Sequence, residues 1–171
     1  NIDAAEYLIN EIMPLVWEKK LHVKLAIAGG GAPISLQKEA NERIIMPGWV
    51  DDMKEYYSQT KIFIAPMRIG TGLQNKLLEA MAMNVVCITS PLANQALKAK
   101  DKEEILIADN AKAYADCIID LLDNEQLSSK IANAGTVRIS TLILNGVQLV
   151  LNTEAWWDRD DNWHRIYYWG M

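Results

Sequence analysis

The sequence is poor in cysteine, and this scarcity excludes two classes of protein. Its 171 residues include two cysteines, Cys87 in a predicted strand and Cys117 in a predicted helix. Two cysteines without metal-ligand spacing cannot build a disulfide framework or a zinc centre, and they favour a reducing compartment. We therefore expect both to be small buried hydrophobic residues, and we expect a cytoplasmic protein.

A basic surface and a long apolar run are also missing. Lysine and arginine number 17 against 22 aspartate and glutamate residues, so the formal net charge is -5. This balance argues against nucleic acid as a partner. No apolar run approaches the roughly 20 residues of a membrane helix, and no signal peptide is visible. Because the first residue is Asn1 rather than methionine, we expect the chain to be a piece of a longer protein.

The residues that are present predict one α/β domain followed by a tail. Half of the residues are hydrophobic and 23% are charged, which suits a globular domain with a real core. Apolar runs and stretches of helical periodicity alternate through about residue 135. Strands are predicted at residues 23–28, 44–46, 62–65, 85–89 and 104–108. Helices are predicted at residues 4–17 with a kink at Pro14, at 35–41, at 53–60, after residue 72, after Asp109 or Asn110, and at 125–134 before Gly135. A loop with room for one helical turn is predicted at 91–102. The pattern indicates a Rossmann-like parallel sheet with helices on both faces over residues 1–135, and an atypical tail over 136–171.

The most informative stretch is residues 62–90, which predicts a strand, a glycine-containing loop, a helix and a second strand. Its loop carries Arg68, Gly70 and Gly72, and its helix carries Lys76 and Glu79 one turn apart. Cations and backbone amides at a helix N-terminus suit phosphate, and a carboxylate suits ribose hydroxyls. The alternative is a surface loop that leads into an ordinary amphipathic helix.

Two further loops follow predicted strands. One carries Gly29, Gly30 and Gly31, and the other is the turn at residues 48–52, whose Asp51 or Asp52 could instead cap the next helix. The carboxyl ends of parallel strands meet at one edge of a sheet, so these loops and the 66–72 loop should gather there. Their convergence predicts a nucleotide site.

Four segments resemble the C-terminal, donor-binding domain of family-4 glycosyltransferases, enzymes of the GT-B fold. They are NIDAAEYLINEIMP, LAIAGGGAP, PGWVDDM and IFIAPMRIGTGLQNKLLEAMAMNVVCITS. The order and spacing of all four agree with that family. The resemblance covers roughly residues 1–135 and implies one half of a GT-B fold.

The resemblance also implies how the donor diphosphate is held. Three glycines would form the loop beneath the transferred sugar and the diphosphate: Gly29, Gly30 and Gly31. Four residues at a helix N-terminus would offer backbone amides to the diphosphate: Gly72, Leu73, Gln74 and Asn75. Arg68 and Lys76 would balance the negative charge that develops on the leaving group, and no metal is expected.

The base, ribose and sugar contacts follow from the same resemblance. Val50 and Asp52 would hold the nucleobase edge, Val50 through its backbone. Glu79 would accept hydrogen bonds from the ribose hydroxyls. Thr71, beside Gly70 in the loop, stands where the family often has a glutamate that contacts the sugar. The RIGTG loop instead resembles a branch of the family with a lysine on the following helix.

The implied activity is that of a retaining glycosyltransferase with a nucleoside diphosphate sugar as donor and a glycan or lipid-linked acceptor. The acceptor domain would precede this chain in the same protein and would supply any peripheral membrane contact. Without that domain, this piece alone should not catalyse the transfer. Two alternatives are a non-catalytic nucleotide- or partner-binding α/β module and a GT-B-fold sugar-nucleotide epimerase. Acid and base residues for an epimerase are not evident.

The tail departs from the family pattern. Six of the thirteen aromatic residues fall within the last sixteen positions: Trp156, Trp157, Trp163, Tyr167, Tyr168 and Trp169. Such a cluster would pack on the domain or be buried in a partner chain such as a second copy, unless the tail is read out of frame. Asp158, Arg159 and Asp160 superficially resemble a metal-binding triplet, and we interpret them as a solvated turn.

Overall fold

The computed structural model describes residues 2–50, 53–70, 72–144 and 167–170. Helices and strands alternate along the domain as the sequence predicts. The helices are α1 (Ile2–Tyr7), α2 (Met13–Trp17), α3 (Ile34–Gln37), α4 (Met53–Gln59), α5 (Asn75–Ala82), α6 (Pro91–Leu97), α7 (Ala111–Asp123) and α8 (Glu125–Leu144). The strands are β1 (Leu25–Ala28), β2 (Ile44–Gly48), β3 (Ile62–Ala65), β4 (Val86–Thr89), β5 (Leu106–Ile107) and β6 (Tyr167–Gly170).

One sheet organises the described residues, with strand order β2-β1-β6-β3-β4-β5. The pairs β1–β2, β3–β4 and β4–β5 are parallel. Every residue of β1, β3 and β4 is buried, which is the pattern of strands covered on both faces. The α/β fold class is therefore confirmed.

The parallel pairing predicted for residues 1–135 is confirmed, and the tail adds one antiparallel strand to the sheet. The tail strand β6 lies antiparallel between β1 and β3, with Gly170 opposite both Leu25 and Ile62. Its backbone pairs with the facing edges of both neighbours, whose N–H and C=O groups need partners in the middle of a sheet. This part of the tail therefore packs on the domain as a strand rather than a helix. The acidic triplet at 158–160 lies outside the described residues.

The helix changes type just before Pro14, where the sequence predicts a kink. Between α1 and α2 the chain forms a π-helical segment, Leu8–Ile12, and the N–H of Met13 bonds to the carbonyl of Leu8, five residues earlier. Proline has no N–H to give to the preceding turn, and its ring needs room there. The wider turn accommodates that ring while keeping Leu8 and Ile12 buried.

Two predicted boundaries between 91 and 108 were wrong. The stretch predicted as a loop with room for one helical turn forms the seven-residue helix α6. Its first turn is capped by Ser90, whose hydroxyl accepts a hydrogen bond from the Ala93 N–H at 3.2 Å. Pro91 stands at the first helical position, where a missing N–H costs nothing. The strand predicted at 104–108 is confined to two residues, Leu106 and Ile107.

The predicted end of a helix at Gly135 was also wrong, because α8 runs through that glycine to Leu144. A Cβ atom at Gly135 would lie 2.8 Å from the backbone oxygen of Glu104 and 3.2 Å from Cε of Met81. The next turn is tied down as well, since the Thr136 hydroxyl donates to the Met81 carbonyl at 2.9 Å. Gly135 is therefore a point of close packing and not a helix stop. The boundary predicted after residue 135 falls inside α8.

The core contains Cys87, as predicted, and burial raises the pKa of its thiol, which keeps it protonated. Cys117 on α7 is only partly buried, and neither cysteine forms a disulfide. Among the described residues, no helix combines the length and apolar character needed to cross a membrane.

Candidate functional site

The carboxyl ends of β1 and β3 lie level with each other across the sheet. Leu25 and Ile62 both pair with Gly170, so the four-residue strands β1 and β3 end at the same height. Because β6 lies between β1 and β3, their ends are separated by two inter-strand spacings, or about 10 Å. The loops that follow β1 and β3 therefore share one edge of the sheet, as the sequence predicted.

The glycine loop after β1 is joined to the turn after β2. The N–H of Gly29 donates to the carbonyl of Gly48 at 2.8 Å. A Cβ atom at Gly30 would lie 3.4 Å from the indole ring of Trp49, so that ring packs against Gly30. Val50 is partly buried against the core. Asp51 and Asp52 lie outside the described residues, and their roles stay predictions.

The loop after β3 is anchored by the end of β4. The Thr89 hydroxyl donates to the Ala65 carbonyl at 3.0 Å, and the Ser90 hydroxyl donates to the Met67 carbonyl at 2.6 Å. Further along, Gly70 and Gly72 have φ angles of +112° and +91°, which residues with a side chain rarely adopt. Thr71 between them lies outside the described residues. The loop is thus held at its base and turns on two glycines.

The loop leads directly into the N-terminus of α5. Gln74 stands before the first helical residue, Asn75, and its side chain makes no capping hydrogen bond. Its carbonyl instead accepts the N–H groups of Leu77 and Leu78 at 2.9 and 3.2 Å. Leu73, just before it, is exposed. The first turn of α5 therefore presents backbone amides and a positive helix end, which suit an anion.

Lys76 and Glu79 lie side by side on α5, as their spacing predicts. The Lys76 ammonium is 3.4 Å from a Glu79 carboxylate oxygen, and the two side chains are 27% and 23% exposed. The buried Tyr57 of α4 donates its hydroxyl to the same oxygen at 3.1 Å. Glu79 is thus oriented by two donors while part of its carboxylate is reachable from solvent.

Arg68 has partners of its own on the first helical stretch. Its guanidinium forms a two-pronged pair with the Asp3 carboxylate, with N···O distances of 3.0 and 2.7 Å, and lies 3.6 Å from Glu11. The guanidinium carbon also sits 4.2 Å from the centre of the Tyr7 ring. The structure therefore brings Lys76 and Glu79 together, whereas Arg68 contacts α1 and the π-helical segment. Its role toward phosphate stays a prediction.

The Arg68–Asp3 pair predicts an acid-dependent contribution to stability. Hydrogen bonds from Arg68 hold the pKa of the Asp3 carboxyl below its usual range. Such a group stabilises the fold above its unfolded pKa, and this contribution disappears as the pH falls through the folded pKa. Because both side chains are substantially exposed, we expect Asp3→Asn to lower the free energy of unfolding by less than about 1 kcal/mol near neutral pH. Urea denaturation of the wild type and of Asp3→Asn at several pH values, from neutral to acidic, measures this difference in the free energy of unfolding.

The matched control is Asp120→Asn, which removes an exposed carboxylate of α7. Its stability difference from the wild type should not follow the titration of Asp3. A stability difference for Asp3→Asn that stays constant into acid would contradict the pairing with Arg68.

A cavity of about 260 Å³ opens beside Arg68 at the carboxyl ends of β3, β4 and β5. The ring of Tyr114 helps to line it, and the Tyr114 hydroxyl is buried without a hydrogen-bond partner among the described residues. Burial raises the pKa of this phenol, so it remains neutral. Neither here nor elsewhere in the described part of the chain do three histidine, cysteine or carboxylate side chains come together as a metal centre requires.

Sequence reasoning missed three residues at this edge: Tyr57, Ser90 and Trp49. Tyr57 reaches Glu79 from a helix 22 positions earlier, and no spacing rule links the two. Ser90 precedes a proline, which is a helix-start signal that could have been recognised. Trp49 stands in the PGWVDDM segment, but its exposure of 49% becomes visible only in the folded chain.

Residues 1–124 match the profile of the family described as Glycosyl transferases group 1. A curated relative, an "Uncharacterized 44.6 kDa protein in cps region" of Klebsiella pneumoniae, is 23% identical over 133 residues. That alignment covers 72% of this chain and 34% of the relative, so the chain spans about a third of the relative's length.

Three solved structures share the fold. Alr3699/HepE of Anabaena, in complex with UDP and glucose, superposes with a TM-score of 0.70 at 12% identity, over 81% of this chain and 41% of that one. TarM gives 0.66 at 17% identity, over 84% and 30% of the two chains. Sucrose-phosphate synthase from Thermosynechococcus elongatus gives 0.65 at 20% identity, over 81% and 38%. At these identities the likeness shows the fold alone.

Proposed function

This chain belongs to the glycosyl transferases group 1 family, and from that premise we propose that it is the donor-binding domain of a retaining glycosyltransferase. The donor would be a nucleoside diphosphate sugar, and the acceptor would be a glycan or a lipid-linked glycan. In the reaction the bond between the anomeric carbon and the β-phosphate oxygen breaks and a bond from the anomeric carbon to the acceptor hydroxyl oxygen forms. The proton of that hydroxyl passes to the departing β-phosphate, and the nucleoside diphosphate leaves.

The observation that carries the proposal is the arrangement at the start of α5. The side chain of Gln74 makes no capping hydrogen bond at this helix N-terminus. Within the first turns of the helix, the Lys76 ammonium lies 3.4 Å from a carboxylate oxygen of Glu79. A diphosphate needs amides and a cation, and a ribose needs a carboxylate that accepts from two hydroxyls. All of these groups lie within one stretch of α5 and its preceding loop.

The roles follow from the charge of each group. The amides of Leu73, Gln74 and Asn75 would bind the diphosphate oxygens, and the Lys76 ammonium would stabilise the negative charge that grows as the sugar departs. These groups are fixed before the reaction, so they need little reorganisation during it. The proposal assigns this charge stabilisation to side chains and amides rather than to a metal.

The acceptor side of the reaction belongs to the remainder of a longer protein. The chain covers 30–41% of the solved structures described above, which leaves room in such proteins for a second domain. The cps region that holds the Klebsiella relative supports a role in polysaccharide biosynthesis. We place the reaction in the cytoplasm and assign any contact with a lipid-linked acceptor to that second domain.

Calorimetric titration of the 171-residue chain with UDP, GDP, ADP and dTDP tests the proposal. We expect saturable binding of at least one of these nucleotides by the wild type. Lys76→Met should weaken that binding about fivefold, or by about 1 kcal/mol, because one charge-assisted contact to phosphate is lost.

Lys100→Met is the matched control, since it removes an ammonium that is 70% exposed and paired with Glu103. It should leave nucleotide affinity unchanged. A wild type that binds none of the four nucleotides would overturn the proposed function. Equal losses in both lysine variants would show that only the overall charge matters.

A further inference from the structure

Tyr114 carries a buried polar group that the fold leaves unsatisfied. The residue is only 1% exposed, yet its hydroxyl has no hydrogen-bond partner among the described residues. Leaving a buried hydroxyl unpaired costs free energy, and a phenylalanine ring in the same place would avoid that cost. Since buried polar groups are nearly always paired, this hydroxyl indicates a partner that enters the cavity which Tyr114 lines.

The cavity is larger than a bridging water requires. Its volume is about 260 Å³, whereas one water takes up roughly 30 Å³ of liquid. Two phenol rings help to line it, those of Tyr7 and Tyr114, which meet edge to face with their centres 6.3 Å apart. Apolar residues form much of the remaining wall: Pro66, Met67, Pro91, Leu92 and Ala108. An apolar wall with a few polar groups is typical of small-molecule sites, and the volume suits a ligand smaller than a drug.

The charges around the cavity disfavour an anion. Arg68 lines the cavity, but its guanidinium already pairs with Asp3 and lies near Glu11. A further carboxylate, that of Asp109, lines the cavity as well. One guanidinium among three carboxylates leaves an excess of negative charge, which repels phosphate. An uncharged ligand with hydroxyl groups suits these surroundings, because a hydroxyl can donate to a carboxylate and accept from the Tyr114 phenol.

The cavity lies to one side of the proposed donor site. Strand order places the glycine loop, which follows β1, on one side of β3 and the ends of β4 and β5 on the other. The cavity is lined by residues that follow β4 and β5, including Ser90 and Asp109. In the part of the chain that the structure describes, neither the glycine loop nor α5 contributes to its lining. A ligand in the cavity and a diphosphate at α5 would therefore have different contacts.

We propose that this cavity binds the ring of an uncharged sugar, independently of the nucleotide. The apolar wall would face the C–H bonds of the ring. The Tyr114 hydroxyl would donate to one sugar hydroxyl, and the Asp109 carboxylate would accept from another. Burial raises the pKa of Tyr114, so its proton stays available for this hydrogen bond. The inference goes beyond the proposed function, because it concerns a sugar other than the one carried by the nucleotide.

Titrations of the 171-residue chain with three methyl glycosides, followed by saturation-transfer NMR, test the proposal. The ligands are the methyl α-D-pyranosides of glucose, galactose and mannose. We expect saturable binding of at least one of them by the wild type. Tyr114→Phe keeps the ring and should weaken that binding about fivefold, because one hydrogen bond is lost. Tyr56→Phe is the matched control, since it removes a phenol hydroxyl of α4 outside the cavity lining and should leave the affinity unchanged.

Thermal unfolding without ligand gives a second readout. Tyr114→Phe should raise the unfolding midpoint by about 2–4 °C, because an unpaired hydroxyl no longer has to be buried. The same substitution is thus expected to improve stability and to impair glycoside binding. A lower midpoint would show that the hydroxyl is satisfied inside the fold, and its role as a ligand donor would be overturned.

The binding results are separable from those of the proposed function. If the wild type binds none of the three glycosides, or if Tyr114→Phe binds them equally well, the cavity is not a sugar site. Displacement of the glycoside by inorganic phosphate would make it an anion site, and displacement by UDP-glucose would assign it to the sugar of the donor; either result overturns the proposal. Failure of nucleotide binding, by contrast, would overturn the proposed function and leave glycoside binding standing.

Discussion

Replacing Glu79 with alanine is expected to weaken nucleotide binding by about 1–3 kcal/mol, which corresponds to roughly 5- to 150-fold. The carboxylate is part-buried and held by Tyr57 at 3.1 Å and by Lys76 at 3.4 Å. In that orientation it can accept hydrogen bonds from two ribose hydroxyls, and alanine would leave those hydroxyls without a partner. Titration calorimetry with the nucleotide that the wild type prefers measures the loss.

Two variants separate the ribose contact from the local structure. Tyr57→Phe removes one of the hydrogen bonds that orient Glu79 but leaves the carboxylate, so its affinity loss should be smaller than that of Glu79→Ala. Glu103→Ala removes an exposed carboxylate of a distant ion pair and should have no effect. An unchanged affinity in Glu79→Ala would remove Glu79 from the site. Thermal unfolding checks that both site variants remain folded.

Gly135→Ala is expected to lower the free energy of unfolding by about 2 kcal/mol, although alanine is the better helix former. Helix propensity alone favours alanine by about 1 kcal/mol. The added methyl group, however, would meet the Glu104 backbone oxygen at 2.8 Å, and backbone cannot move aside as a flexible side chain can. Overpacking of this kind costs about 1–3 kcal/mol or more. Urea denaturation compared with the wild type measures the balance.

The control lies two residues away on the same helix. Asn133 is exposed on α8, so Asn133→Ala should raise the free energy of unfolding by about 0.5 kcal/mol through helix propensity alone. The two substitutions should therefore have opposite signs. If Gly135→Ala stabilised the protein as Asn133→Ala does, α8 would not be seated against Glu104 in solution.

Local patterns predicted most elements because their causes are local. The apolar runs at β3 and β4 are buried on both faces, and period-3.6 patterns mark α5 and α7. Prediction failed where a distant contact decides the outcome. Gly135 resembles a helix stop until the Glu104 oxygen beside it is seen. The strand β6 depends on pairing with β3 and β1, which lie more than a hundred positions earlier in the chain.

The candidate site divides in the same way. The sequence alone placed Lys76 one turn from Glu79 and put glycine loops after parallel strands, because helical spacing and strand direction follow from order along the chain. Only the tertiary structure decided which partners these groups have. Arg68 stands eight positions before Lys76, yet its side chain pairs with Asp3, which lies in α1 near the start of the chain. Tyr57 orients Glu79, and Trp49 packs against Gly30 of the glycine loop. Side-chain pairing depends on which elements pack together, and packing is a property of the whole fold.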